Sequence, residues 1–125
     1  MQGNPIVWFE MYVQDMARAK KFYEAVFKVT LEKLTPPDGS LDMWSFPADT
    51  DKWGASGALV KMEGVSPGGG GTLVYFMCKD CADEAKKFAD NGGKICRDKF
   101  SIGQYGFIAL VADSEGNMVG LHSMA

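Results

Sequence analysis

The chain has little of what usually builds a metal centre or a cross-linked framework. Its 125 residues include a single histidine, His122, and three cysteines, Cys78, Cys81 and Cys96. A catalytic metal site usually takes three protein ligands, and one His with no second C-x-x-C leaves such a site short of donors. An odd cysteine count argues against a disulfide framework. There is no excess of basic charge either. The formal net charge is −3, whereas nucleic-acid binding usually needs a cationic face. No apolar run approaches the ~20 residues of a membrane span, so neither nucleic acid nor membrane is expected as a partner. Met1-Gln2-Gly3-Asn4-Pro5 lacks the charged and apolar regions of a signal peptide, and a cytoplasmic location is expected.

Cys78-Lys79-Asp80-Cys81 does form a C-x-x-C pair. Redox use needs a lowered thiolate pKa at a helix start, a position open to Cys81. Cys78 is expected to point under that helix, and small buried hydrophobes are the favoured reading of both. Gly64-Val65-Ser66-Pro67-Gly68-Gly69-Gly70-Gly71 suggests a phosphate cradle, but a Walker loop needs Gly-Lys-Ser/Thr and a following helix. A strand pattern follows instead, and the stretch reads as a connector.

What is present is an ordinary globular composition, 46% hydrophobic, in one domain over 1–125 long enough to bury a core unaided. The leading strand is Val7-Trp8-Phe9-Glu10-Met11-Tyr12-Val13. With period two, Val7, Phe9, Met11 and Val13 share one apolar face, and Trp8, Glu10 and Tyr12 share the other. Asp15 suits an N-cap for a helix over Met16 to Phe27. Met16, Ala19, Phe22, Tyr23 and Val26 read as its apolar stripe. Strands are expected over Val29–Leu34, Leu41–Phe46 and Ala55–Met62, with a turn at Pro36-Pro37-Asp38-Gly39 and a loop from Pro47 to Gly54.

After the connector the pattern repeats. Thr72 to Cys78 is a strand, Asp80 takes the role of Asp15, and a helix follows over Ala82 to Asp90, closed by Asn91-Gly92-Gly93. Strands at Lys94–Arg97, Tyr105–Ala112 and Met118–His122 complete it, with a hairpin turn at Asp113-Ser114-Glu115-Gly116-Asn117. Each half, about 5–63 and 72–125 with 64–71 between them, reads strand, helix, strand, strand, strand. The fold class is α+β: two βαβββ repeats forming a curved mixed sheet around a cleft, with the helices outside.

Val13-Gln14-Asp15-Met16 leading into Lys21-Phe22-Tyr23, and the terminal hairpin at Asp113–Asn117, resemble the vicinal oxygen chelate superfamily. That group holds glyoxalase I, extradiol dioxygenases and bleomycin-resistance proteins. Trp8-Phe9-Glu10, Gly57-Ala58-Leu59-Val60-Lys61, Tyr105-Gly106-Phe107-Ile108-Ala109-Leu110 and Val119-Gly120-Leu121-His122-Ser123 are similar to its glyoxalase-related branch of mostly unassigned function. The resemblance implies metal ligands on the first and last strands of each half. Carried over from Asp15 and Asp80, those positions fall on Trp8, Leu73, Gly120 and near Leu59, none of which ligates a divalent ion. No cofactor is therefore expected. The alternative is an atypical metal site using Glu10 and His122.

The cleft face is expected to collect Trp8, Glu10, Tyr12, Leu73, Tyr75, Met77, Met118, Gly120 and His122, with Trp44 and Phe46 joining them. Gly120 is read as leaving room where the family carries a Glu. The ligand-binding set is Trp8, Glu10, Tyr12, Trp44, Tyr75, Met77 and His122. Glu10 is the candidate catalytic carboxylate, because burial among aromatics is costly without a partner or a purpose. The implied function is a glyoxalase-like small-molecule-binding protein. The alternatives are a metal-dependent lyase, isomerase or dioxygenase with an atypical site, and a protein that sequesters a toxic compound. Open sheet edges favour a homodimer.

Overall fold

The computed structural model describes residues 3–37, 39 and 41–125, so Asp38 of the expected turn at 36–39 lies outside the described residues. Two compact units result, one formed by Trp8–Thr72 and the other by Leu73–Ala125 with the segment up to Val7. Both contain the same succession of elements.

The first unit holds β1 (Ile6–Tyr12), α1 (Met16–Phe27), β2 (Glu32–Leu34), β3 (Asp42–Ser45) and β4 (Ser56–Lys61). Its strands lie in the order β2-β3-β4-β1. β1 runs parallel to β4, and the other pairs are antiparallel. Asp15 caps α1 as expected, its Oδ1 accepting the Arg18 N–H at 3.0 Å. The strand expected over Val29–Leu34 is reduced to three residues. Leu31 leaves the ladder to plug the core under α1, and its N–H donates to Glu24 at 2.8 Å.

The apolar stripe of α1 is narrower than its sequence suggests. Met16 is buried, Ala19 and Tyr23 are half-buried, but Phe22 and Val26 are exposed. Each helical residue advances by about 100°, so Phe22 sits well round the barrel from Met16. The core beneath α1 is Met16, Leu31 and Leu59, with Met11, Val13, Tyr23, Trp44 and Phe46 packed against it. Leu59 is fully buried, a burial worth about 1.5–3 kcal/mol. Met43, Ala58 and Val60 fill the opposite face together with Trp8, Tyr12, Leu34 and Leu41.

The second unit holds β5 (Thr72–Met77), α2 (Cys81–Asp90), β6 (Lys94–Ser101), a 3-10 turn at Gly103–Tyr105, β7 (Phe107–Ala112) and β8 (Met118–Ser123). Its order is β5-β8-β7-β6, again with one parallel pair, β5 and β8. β6 is four residues longer than expected and meets β7 through two irregularities in register. Asp80 accepts the Ala82 N–H at 3.0 Å and the Lys99 ammonium at 2.9 Å. Asp113 gathers the terminal hairpin, accepting the N–H groups of Glu115 and Asn117 and the Asn117 side chain. The two halves are thus βαβββ units, as the α+β reading required. The glycine connector is anchored at its end: Gly71 is buried and its carbonyl accepts the Tyr12 N–H at 2.8 Å.

Cys81 opens α2 and belongs to the core with Ala85, Val111 and Leu121, and Cys78 packs against that core. Burial, with the Glu84 carboxylate second, pushes the Cys78 thiol up to about 11, so it stays protonated and a poor nucleophile at neutral pH. All three cysteines are free, and Cys96 alone is exposed. A thiol-reactive dye at pH 7.5 is expected to label one cysteine per native chain and all three after denaturation. Cys96→Ser should abolish the native reaction, and rapid native labelling of that variant would contradict the burial. In β4, a Cβ added at Gly57 would lie 2.2 Å from the Phe9 carbonyl oxygen and 2.6 Å from its ring. Gly57→Ala is therefore expected to lower stability in a urea titration by about 1–3 kcal/mol, the usual cost of overpacking.

Candidate functional site

Period-two geometry puts Trp8, Glu10 and Tyr12 on one face of β1, side by side along the strand. Glu10 is 9% exposed. Its Oε1 accepts the Tyr12 phenol at 2.9 Å and its Oε2 accepts the Trp8 indole N–H at 3.2 Å. Hydrogen bonds to a charged acceptor contribute about 1.5–3 kcal/mol each, and two of them offset much of the several kcal/mol that burying a carboxylate costs. Burial, and then the Glu10 charge, push the Tyr12 phenol far above its ordinary value of 10.0. Tyr12 is therefore a fixed neutral donor, and Glu10 a carboxylate held in one orientation.

The register extends this face across the sheet. Glu10 stands beside Ala58, and Ala58 beside Ser45. Tyr12 stands beside Val60, and Val60 beside Met43. The surroundings of Glu10 are therefore aromatic and aliphatic, with Ser45 as a buried polar neighbour. Met43 and Ser45 were not singled out from sequence. Their signal was the alternation Met43-Trp44-Ser45-Phe46, read in the wrong phase.

Trp44 is the correction that follows. Expected beside Glu10, it lies on the opposite face with Met11, Tyr23 and Phe46. Its indole donates to Asp42 at 3.0 Å, and the Lys20 ammonium sits 3.2 Å from the ring centroid. α1 covers that side of the sheet, and a large ring is needed there to fill the space beneath it. The same applies to Phe46, whose ring meets Tyr23 edge-on at 5.6 Å.

In the second unit, Tyr75, Met77 and His122 share the face of the sheet away from α2. Tyr75 pairs with Gly120, and Met77 with His122. The room at Gly120 is filled: a Cβ there would lie 2.3 Å from the Tyr75 ring. His122 Nε2 lies 2.6 Å from the Tyr105 carbonyl oxygen. A carbonyl only accepts, so Nε2 carries the proton and Nδ1 is the acceptor in the neutral ring. These side chains fit a divalent ion poorly. Both Glu10 oxygens face aromatic donors, His122 Nε2 is committed to a carbonyl, and Tyr75 lies over Gly120. Among the described residues no three His, Cys, Asp or Glu side chains gather at one point.

Sequence reasoning also missed a groove on the helix side of the first unit. It has a volume of ≈ 440 Å³, a floor of Phe9, Met11 and Phe46, a wall of Tyr23 and Phe27, and a rim of Pro47 and Ala55. Phe9 can lie low in it because Gly57 offers no Cβ. The missed signal was Phe27, a large aromatic at the end of α1 that the apolar stripe read from sequence left out.

Solved structures of the same fold are numerous. Methylmalonyl-CoA epimerase from Streptomyces coelicolor, in complex with 2-nitronate-propionyl-CoA, superposes with a TM-score of 0.67 at 16% identity, covering 98% of this chain and 95% of that one. The epimerase from Mycobacterium tuberculosis gives 0.68 at 12% identity, covering 97% and 88%. An uncharacterised protein from Methanosarcina mazei gives 0.62 at 15% identity, covering 100% and 95%. No curated protein matches the sequence. Residues 5–121 match the model of the Glyoxalase/Bleomycin resistance protein/Dioxygenase superfamily, and with nearly the whole chain covered, the protein belongs to that superfamily.

Proposed function

We propose that this chain binds a small, partly apolar molecule through Glu10, without a resident metal ion, in the cytoplasm. The observation that supports this most is the buried carboxylate of Glu10, bracketed by the Trp8 indole and the Tyr12 phenol. A sheet face that only filled space would be simpler to pack with an aliphatic residue there, since burying a charge costs several kcal/mol. A carboxylate held in one orientation accepts a hydrogen bond from a ligand hydroxyl or ammonium, or takes a proton from carbon next to a carbonyl. Trp8, Tyr12, Met43 and Val60 supply the apolar contacts around it. Three free cysteines suit a reducing compartment.

The superfamily gives a first choice of probes. The Streptomyces epimerase structure holds 2-nitronate-propionyl-CoA, so acyl-CoA thioesters head the panel, followed by aldehyde–thiol adducts and amphipathic amines. Isothermal titration with this panel is expected to find a ligand whose affinity falls about tenfold or more in Glu10→Gln, the loss of one charge-assisted hydrogen bond. That variant keeps the size of the side chain and should fold normally by circular dichroism. A ligand bound equally by both proteins would remove Glu10 from the site. Solvent deuterium entering the bound ligand next to its carbonyl would show turnover, and tight binding without exchange would mark a sequestering protein. Metal analysis of the purified chain is expected to find no stoichiometric divalent ion. One equivalent that disappears in Glu10→Gln would favour the alternative metal site instead.

A further inference from the structure

The groove on the helix side of the first unit is lined by rings that hold one another in place. Phe9 and Phe46 meet at 5.8 Å between centroids, Phe46 meets Tyr23 edge-on at 5.6 Å, and Tyr23 stacks on Phe27 at 6.2 Å. Phe22 also meets Tyr23 edge-on, at 5.1 Å. A wall of rings fixed in this way offers a further ring the same stacked and edge-on contacts. Its volume of ≈ 440 Å³ falls in the range of small-molecule sites, about 300–1,000 Å³.

The polar groups say what kind of molecule fits. None of the lining residues is charged, so an ion placed among them would lose its hydration without gaining a partner. Two side-chain hydroxyls belong to the lining. Ser56, at the rim, already donates to the Phe46 carbonyl at 3.3 Å and the Pro47 carbonyl at 3.2 Å. The Tyr23 phenol donates to the Met11 sulfur at 3.8 Å. A thioether is a weak acceptor, whereas a phenol in apolar surroundings usually finds a stronger partner. Tyr23 and Met11 both line the groove, so this donor stands at its wall with sulfur as a stand-in acceptor. An oxygen lone pair brought by a ligand is a better partner. A carbonyl supplies one without adding a donor of its own that the apolar lining would have to satisfy.

We propose that this groove binds a neutral aryl carbonyl compound, its ring packed against Phe27 and the floor and its oxygen accepting the Tyr23 phenol. The site is separate from the Glu10 face. Successive residues of β1 alternate, so Phe9 and Met11 look toward α1 and Glu10 looks away from it. The two sites also differ in chemistry, since a carboxylate selects hydroxyl or ammonium donors and the Tyr23 donor selects an acceptor.

Methionine-methyl NMR of the full chain tests this with two probes, acetophenone and α-methylstyrene, in which a methylene replaces the carbonyl oxygen. Met11 reports on the groove and Met43 on the Glu10 face. Acetophenone should shift the Met11 methyl, leave Met43 in place, and bind about fivefold or more tightly than α-methylstyrene, the contribution of one hydrogen bond. Tyr23→Phe keeps the ring and should erase that preference. Phe27→Ala removes a wall that is 62% exposed, with little risk to the fold, and should weaken both probes. Glu10→Gln should change neither. No shift at Met11 with either probe would overturn the proposal, including the case in which another protein chain covers the groove. So would a shift confined to Met43 or lost in Glu10→Gln, which would put the carbonyl compound on the other face. A preference for acetophenone that survives in Tyr23→Phe would overturn the assignment of the donor and, with it, the ligand class.

Discussion

The constraint that organises the first half of the molecule is the carboxylate of Glu10 held under its own strand's aromatic residues. Both of its oxygens take a donor from two positions away, the Trp8 indole on one side and the Tyr12 phenol on the other. The bracket exists because an extended strand returns to the same face every second residue. It holds Tyr12 neutral, and the two donors on its own strand orient the Glu10 carboxylate. Parallel pairing with β4 then sets Ala58 beside Glu10 and keeps bulk away from its backbone.

Much of this was legible in the sequence. The alternation in Val7–Val13 separated the two faces of β1, and the repeated Asp-led helix exposed the paired βαβββ architecture. Asp15 and Asp80 take up the capping roles their chemistry suggests. Legibility failed where alternation gives a period without a phase. Trp44 and Phe46 have the spacing of a strand face, but nothing local says which face. The demand to fill the space under α1 decided it, and that demand comes from tertiary packing. The stripe on α1 failed for a related reason. Apolar residues at i+6 and i+10 look periodic in a list, yet at about 100° per residue they stand roughly 120° and 80° round the helix from Met16, and Phe22 and Val26 end in solvent.

The misreading of α1 and the overlooked groove are one fact seen from two sides. Aromatic residues in excess of what the core absorbs must lie somewhere, and here they line a groove and continue onto an exposed helix face. The equivalent helix of the second half behaves differently. α2 exposes alanines, lysines and acids, and its i, i+4 pair of Lys86 and Asp90 closes at 2.7 Å. Two units with the same succession of elements thus present chemically unlike helices, apolar and basic in one, polar and mixed in the other. Fold similarity at 12–16% identity carries no information about this difference.

A second asymmetry between the halves concerns where a glycine admits an aromatic ring. In the first, Gly57 of β4 lets Phe9 lie flat on the side covered by α1. In the second, Gly120 of β8 lets Tyr75 lie flat on the face away from α2. The device is the same, a missing Cβ under a ring on the neighbouring strand, but it works on opposite faces. Its consequence for chemistry is direct. Gly120 stands where the family resemblance puts a ligating carboxylate, and the space freed by its missing side chain is taken by Tyr75. Restoring an acidic residue there would first have to displace a buried ring. The last strand is therefore built around packing at this position, whereas on β1 the Glu10 carboxylate meets two aromatic donors, Trp8 and Tyr12.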